Sequence, residues 1–292
     1  MSREVLSEEQ VQFYRDHGYV VLEARIPRGT IEAVRDEIAR FVEEARGLTA
    51  SNERLDLEDS HTPEAPRLRR IKLPHKLSPV FDDLLRSDWI LAPVRDLLGP
   101  SLRLHTSKLN MKSAGYGAAV EWHQDWAFYP HTNDDILAVG VIIDDMGEEN
   151  GPLMVFPGSH RGPVYDHHAD GVFAGAVDLA DSGLDAADAV KLTGPAGSIS
   201  LHHVRALHGS AENRSARDRR MMFIEITSAD AFPIGGTMSK FESLEEYDSR
   251  LLCGTPTITP RLAEVPLRIP QPQPATQGSI YEIQKAMRAR SF

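Results

Sequence analysis

The chain has 292 residues, 32 Lys and Arg against 43 Asp and Glu, a formal net charge of −11, one cysteine and twelve histidines. An apolar content of 41% excludes wholesale disorder, the lone Cys253 excludes an internal disulfide or a thiolate metal cage, and the acidic balance argues against nucleic acid as a partner. No apolar run approaches the ~18–20 residues of a membrane span and the polar opening is unlike a secretory signal, so a soluble cytoplasmic protein with no membrane partner is expected.

Ser7 and Gln10 form a capping-box pattern, Val11, Tyr14 and His17 follow at helical spacing, and Gly18 ends the segment. Tyr19-Val20-Val21-Leu22 suits a short strand. Thr30 is expected to cap a second helix, in which Ile31, Val34, Ile38, Phe41, Val42 and Ala45 keep a 3.6-residue period. Residues 48–66 are polar and aperiodic and read as a surface loop or lid. A basic run from Arg67 to Lys76 follows and reads as a solvated face. Residues 80–98 look helical with an interruption at Pro93, and Gly99-Pro100 is a break.

From Leu102 the period changes. Strands are expected over 102–111, 136–144, 153–156, 197–203 and 221–227, punctuated by Gly and Pro, and a tail from Ala231 ends in a helix over 279–288. Closely spaced short strands indicate an all-β sandwich or barrel rather than alternating βα units. The expected organisation is one domain over 1–292, mainly β with flanking helices. It has a helical part (1–100), a β core (101–230) and a C-terminal extension (231–292). There is no coiled-coil pattern and no leftover apolar stripe, which leaves the oligomeric state open.

The chemically informative stretch is Glu121-Trp122-His123-Gln124-Asp125-Trp126. On a strand, His123 and Asp125 leave the same face. One imidazole and one carboxylate are two ligands of the 2-His-1-carboxylate triad used for non-heme Fe(II), which leaves open positions on the ion. His-x-Asp alone is a weak signal. It is strengthened by His208 after a distant strand, and by Arg219 opening the next strand, where a guanidinium suits bidentate capture of a carboxylate. Arg220 is the close rival of Arg219, on the opposite strand face. His203 reads as packing, His160 as a turn stabiliser, and His202, His167, His168 and His61 as exposed or loop histidines.

Three motifs in order carry a resemblance. They are His123-Gln124-Asp125, the stretch Asn150-Gly151-Pro152-Leu153-Met154-Val155-Phe156-Pro157-Gly158-Ser159-His160, and His208-Gly209-Ser210 with Asn213 and Arg219. Together with the opening around Leu6 to Val21, they make the chain resemble the phytanoyl-CoA dioxygenase family of Fe(II)/2-oxoglutarate-dependent oxygenases. The resemblance implies a double-stranded β-helix (a cupin-like jelly roll) and catalytic iron ligands His123, Asp125 and His208. It implies that Arg219 meets the distal carboxylate of 2-oxoglutarate with Ser210 beside it, and that Asn110 and Gln124 contact this cosubstrate. Trp126, Tyr129 and Lys108 are the candidate substrate contacts, Lys108 as an anion contact.

The implied reaction hydroxylates an aliphatic C–H of a small molecule using O2, releasing succinate and CO2, with ascorbate supporting activity. Desaturation, epoxidation, cyclisation or hydroxylation of a small phosphonate use the same cofactor chemistry. A cupin-like enzyme of another class and a non-catalytic β-sandwich binding module are the competing readings. The residues after the metal motif, Trp126 to Asp135, depart from the ectoine-type signature, so the reading does not extend to ectoine as substrate.

Overall fold

The computed structural model describes residues 5–115, 117–236, 239–269, 271–272, 280–284 and 291–292. Its first half runs α1 (Glu8–His17), β1 (Tyr19–Leu22), α2 (Arg28–Ala45), β2 (Leu55–Leu57), β3 (Leu68–Lys72), α3 (Pro74–Leu77), α4 (Pro79–Arg86), α5 (Asp88–Leu98), β4 (Leu102–Lys112), β5 (Val120–His123), β6 (Ile136–Ile142) and β7 (Leu153–Val155). Then come β8 (His168–Ala169), β9 (Val172–Phe173), α6 (Leu179–Ser182), β10 (Val190–Leu192), β11 (Ile199–His203), β12 (His208–Ser210), β13 (Arg219–Ser228), α7 (Leu244–Ser249), β14 (Leu251–Cys253) and α8 (Ile280–Gln284). The tail helix expected over 279–288 is described only as α8; its remaining positions lie outside the described residues.

Two antiparallel sheets make a jelly roll. The larger is ordered β1-β11-β6-β13-β4-β3-β2, with β14 also on β4, and the smaller is β10-β7-β12-β5. Strand alternation assigns the two faces of the large sheet. Leu109, Met111, Met222, Ile224 and Ile226 pack with Ile31, Val34 and Ile38 of α2, so the helices cover one face. Met221 and Phe223 pack instead with Leu153, Val155 and Leu192 of the small sheet. Lys108, Asn110 and Lys112 share that inner face, since they pair with Phe223, Met221 and Arg219. A bulge at His105, where Thr106 pairs with Glu225 but Leu104 with Ile226, resets the alternation, so Leu104 joins Leu109 under the helices.

Several boundaries differ from the sequence expectation. Thr30 does not cap α2: the Pro27 carbonyl accepts from the amides of Thr30 and Ile31, so the helix starts at Arg28. Residues 48–66 are not all loop, because Leu55–Leu57 forms a buried strand against β3. The helical break falls at Ser87 rather than Pro93, which sits inside α5 and forfeits only its own amide bond. The basic run is not a solvated face. Arg69 is buried against Glu58 (3.0 Å) and Asp59 (3.1 Å), Lys72 meets Asp56 (2.7 Å), and β3 carries both into the large sheet.

Candidate metal centre and cosubstrate cavity

His123 is the last residue of β5, and Asp125 opens the short 3-10 turn that follows. The two therefore do not share a strand face as the spacing suggested; a strand end and a turn aim them together. His208 opens β12 and pairs in register with His123 across the two strands. That pairing brings residues 85 apart in sequence to a ring separation of 4.1 Å. The His123 Nδ1–H donates to the Glu121 carbonyl (2.8 Å) and the His208 Nδ1–H to the Ala206 carbonyl (2.9 Å). Each bond fixes a tautomer that leaves the Nε2 lone pair for a metal. Those nitrogens lie 3.7 and 4.0 Å from the Asp125 carboxylate, and one ligand atom from each residue falls within 4.8 Å of the others.

Burial pushes His123 down to about 4 and His208 well below its ordinary value. Burial alone raises the Asp125 carboxyl, but Lys108 and the surrounding histidines outweigh it and hold its pKa well below the usual range. Two neutral imidazoles and one carboxylate are the protonation states that bind a divalent ion, and this donor set suits Fe(II).

A narrow cavity of about 30 Å³ adjoins the triad, walled by Lys108, Asn110 and Lys112 of β4, Arg219 and Phe223 of β13, and Gly209 and Ser210 of β12. Arg219 is 2% exposed. Its Nε and Nη2 donate to the Gly151 carbonyl, and no carboxylate among the described residues pairs with it. Burial pushes its pKa down to about 10. Lys112, next to it, donates to the Ser210 carbonyl (3.1 Å), Ser210 Oγ (2.8 Å) and the Ala211 carbonyl, and likewise meets no carboxylate among the described residues. A buried guanidinium without a counter-charge makes this end of the cavity fit a carboxylate ligand; burial pushes the Lys112 ammonium well below its ordinary pKa. Arg220, the rival, is held on the other face by both oxygens of Asp144 (2.6 and 2.7 Å).

The remaining expected site residues divide. Asn110 borders the cavity with a buried Oδ1 that has no partner among the described residues. Lys108 reaches the cavity and is paired with Glu225 at 2.9 Å. Tyr129 lies beside Asp125, whose charge adds to the burial that holds the phenol well above its ordinary pKa; its ring is 4.3 Å from His105. Gln124 is not brought to the cavity: its amide donates to the Pro163 and Arg205 carbonyls and accepts from the Tyr165 amide. Trp126 also turns away, donating to the Pro266 carbonyl (2.7 Å) and packing with Phe128, Phe173 and Ile283.

The residue that sequence reading missed is His202. It is buried, not exposed, and its Nε2 lies 3.8 Å from Asp125 Oδ2. Apart from this contact with Asp125, neither ring nitrogen makes a hydrogen bond among the described residues. The signal was present in the strand alternation: Ile199 and Leu201 are apolar and face the helices, so Ser200 and His202 face inward. His167 is buried too, its Nε2 accepting from the Gln124 amide at 2.9 Å.

A jelly roll that joins two imidazoles and one carboxylate to a buried guanidinium across one small cavity has the plan of the 2-oxoglutarate-dependent non-heme iron dioxygenases. The chain belongs to the phytanoyl-CoA dioxygenase (PhyH) family, whose model matches residues 14–221. It is 38% identical to a probable alpha-ketoglutarate-dependent hypophosphite dioxygenase of Stutzerimonas stutzeri, over 97% of this chain and 99% of the relative. It is 32% identical to the L-proline trans-4-hydroxylase of Streptomyces griseoviridis, over 55% of this chain and 68% of that one. The crystal structure of EctD from S. alaskensis with 2-oxoglutarate and 5-hydroxyectoine superposes with a TM-score of 0.63 at 25% identity, covering 77% of each chain. The chain is thus an enzyme of the 2-oxoglutarate-dependent dioxygenase class. No described helix is long and apolar enough to cross a membrane.

Proposed function

We propose that this dioxygenase hydroxylates a small phosphorus oxyanion, at a P–H bond of hypophosphite or an aliphatic C–H bond of a small phosphonate. Lys108 carries the substrate reading. Its ammonium borders the same cavity as the triad, and the pairing with Glu225 leaves it donors to spare. Beside it, Asn110 Oδ1 and His202 Nδ1 are buried without hydrogen-bond partners among the described residues, which suits a small, strongly hydrogen-bonding ligand. The near full-length similarity to a hypophosphite dioxygenase supports the same class.

In this reading His123, Asp125 and His208 hold Fe(II), and Arg219 with Ser210 holds the distal carboxylate of 2-oxoglutarate. Asn110 borders the cosubstrate, and Lys108 orients the oxyanion. Bound Fe(II) with 2-oxoglutarate supplies the oxidising power for oxygen insertion. The substrate X–H, O2 and 2-oxoglutarate give X–OH, succinate and CO2, one oxygen atom entering succinate and the other the product. Neutral His123 and His208 keep their lone pairs for the metal, and burial of the triad limits access of bulk water to it. Ascorbate is expected to sustain turnover by keeping iron reduced, and the cytoplasm is the proposed compartment.

The test is succinate release with Fe(II), ascorbate and 2-oxoglutarate against a panel of hypophosphite, methylphosphonate, 2-aminoethylphosphonate, L-proline and ectoine. Phosphorus NMR follows conversion of hypophosphite to phosphite. Stimulation by a phosphorus oxyanion, lost in Asp125→Ala, is expected. Stimulation by proline or ectoine alone would replace this reading with C–H hydroxylation of a cyclic amino acid.

A further inference from the structure

The C-terminal helix α8 supplies a polar group to the cavity for which the triad and Arg219 give no reason. Tyr281 borders the iron-side cavity with Arg219, Ser210 and Lys112. It also borders an outer cavity of about 240 Å³ lined by Glu58, Arg69, Asn213 and Gln284, and it is the described residue common to both. It is 6% exposed, and its hydroxyl is buried with no hydrogen-bond partner among the described residues. A phenol taken out of water without a partner is costly, so this hydroxyl needs an acceptor in the working enzyme. The Arg219 charge acts on the phenol, opposing the burial that raises its pKa.

The placement of α8 is specific. The Gln284 Oε1 accepts from the Glu121 amide (3.0 Å), and its Nε2 donates to the Gly175 carbonyl (2.9 Å). Glu121 lies on β5, the edge strand of the small sheet and the strand that delivers His123. The same docking that covers this edge therefore sets Tyr281 against the cation-rich end of the cavity.

We propose that Tyr281 is a cosubstrate-binding residue whose hydroxyl donates a hydrogen bond to the distal carboxylate of the 2-oxo acid beside Arg219. This rests on the 2-oxoglutarate reading of the cavity. A guanidinium lacking a carboxylate partner and a phenol lacking an acceptor among the described residues line the same cavity, and a carboxylate offers an oxygen to each.

The experiment measures binding by calorimetry on the Mn(II)-loaded full chain, so that turnover plays no part. Wild type and Tyr281→Phe are each titrated with 2-oxoglutarate and with 2-oxovalerate, which has the same chain length but ends in a methyl group. Loss of a hydrogen bond to a charged group corresponds to roughly a 10- to 100-fold weaker 2-oxoglutarate affinity, with 2-oxovalerate and Mn(II) affinities unchanged. Equal affinities of the two proteins for 2-oxoglutarate overturn the assignment, and so does an equal loss for both oxo acids, which marks a packing role. If wild type binds no 2-oxoglutarate, the cosubstrate reading itself fails and takes the Tyr281 assignment with it.

Discussion

Arg219 and Arg220 are adjacent in sequence and opposite in surroundings. Arg220 is neutralised by Asp144, whereas Arg219 has, among the described residues, only the Gly151 carbonyl and the cavity. Arg219→Ala is therefore expected to weaken 2-oxoglutarate binding by about 2–4 kcal/mol, on the order of 30- to 800-fold, while metal affinity is retained. Arg219→Lys should not restore it, because a point ammonium cannot hold both Gly151 and a carboxylate in the fork geometry. Titration calorimetry decides, and an equal loss of Mn(II) affinity would mark collapse of the site instead. That His123, Asp125, His208 and Arg219 gather around one cavity was legible from the family motifs more than from residue type and spacing alone, since His-x-Asp by itself is weak. Gln124 and Trp126 were misplaced for a physical reason: their partners are carbonyls of Pro163, Arg205 and Pro266, and a sequence does not announce which distant loop carbonyl a buried amide or indole will satisfy.

At the scale of elements, strand alternation explains most of what positions the site. One face of β4 and β13 is apolar and lies under the helices; the other presents Lys108, Asn110, Lys112 and Arg219 in register. The alternation was readable in sequence, and applied to β11 it would have turned His202 inward. Turn geometry was harder to foresee. Gly151 has φ +69°, and a Cβ there would meet the Ala211 carbonyl oxygen at 2.5 Å. Its own carbonyl holds Arg219. Gly151→Ala should then cost at least about 1–2 kcal/mol of stability and also weaken 2-oxoglutarate binding, since the displaced carbonyl releases the guanidinium. Urea unfolding and oxo-acid titration together check this. A stability loss with unchanged 2-oxoglutarate affinity would show that the turn does not aim Arg219. The buried strand β2 was missed because three residues, Leu55–Leu57, are too few to show a period among polar neighbours.

Across the whole molecule the helical part and the large sheet share one core, and a second apolar cluster joins that sheet's inner face to the small sheet beside the cavity. Burial also fixes the acid response. His75, His123 and His131 are pushed down to about 4, and His167 and His203 to about 3, by desolvation; His105 and His208 also lie well below their ordinary value. In the unfolded chain each returns to about 6.5. As pH falls below that value the unfolded state takes up protons that the folded state refuses until pH nears 4 or below. The stability that depends on these histidines is therefore full above about 6.5 and declines with each step toward 4. Asp125, depressed in the fold, adds a loss of the same sign only below its ordinary value of 3.8. Glu58 and Asp135 are raised by burial and oppose the trend, but two carboxyls are outnumbered by the histidines. We expect the metal-free protein to unfold with a midpoint between about pH 4 and 6, taking up several protons per molecule. Loading with Mn(II), which binds only neutral imidazole, should move the midpoint lower. Circular dichroism across an acid titration, with urea unfolding at pH 5 and pH 7, is the measurement. Equal stability at those two pH values would mean that the buried histidines titrate as freely in the folded protein as in the unfolded chain.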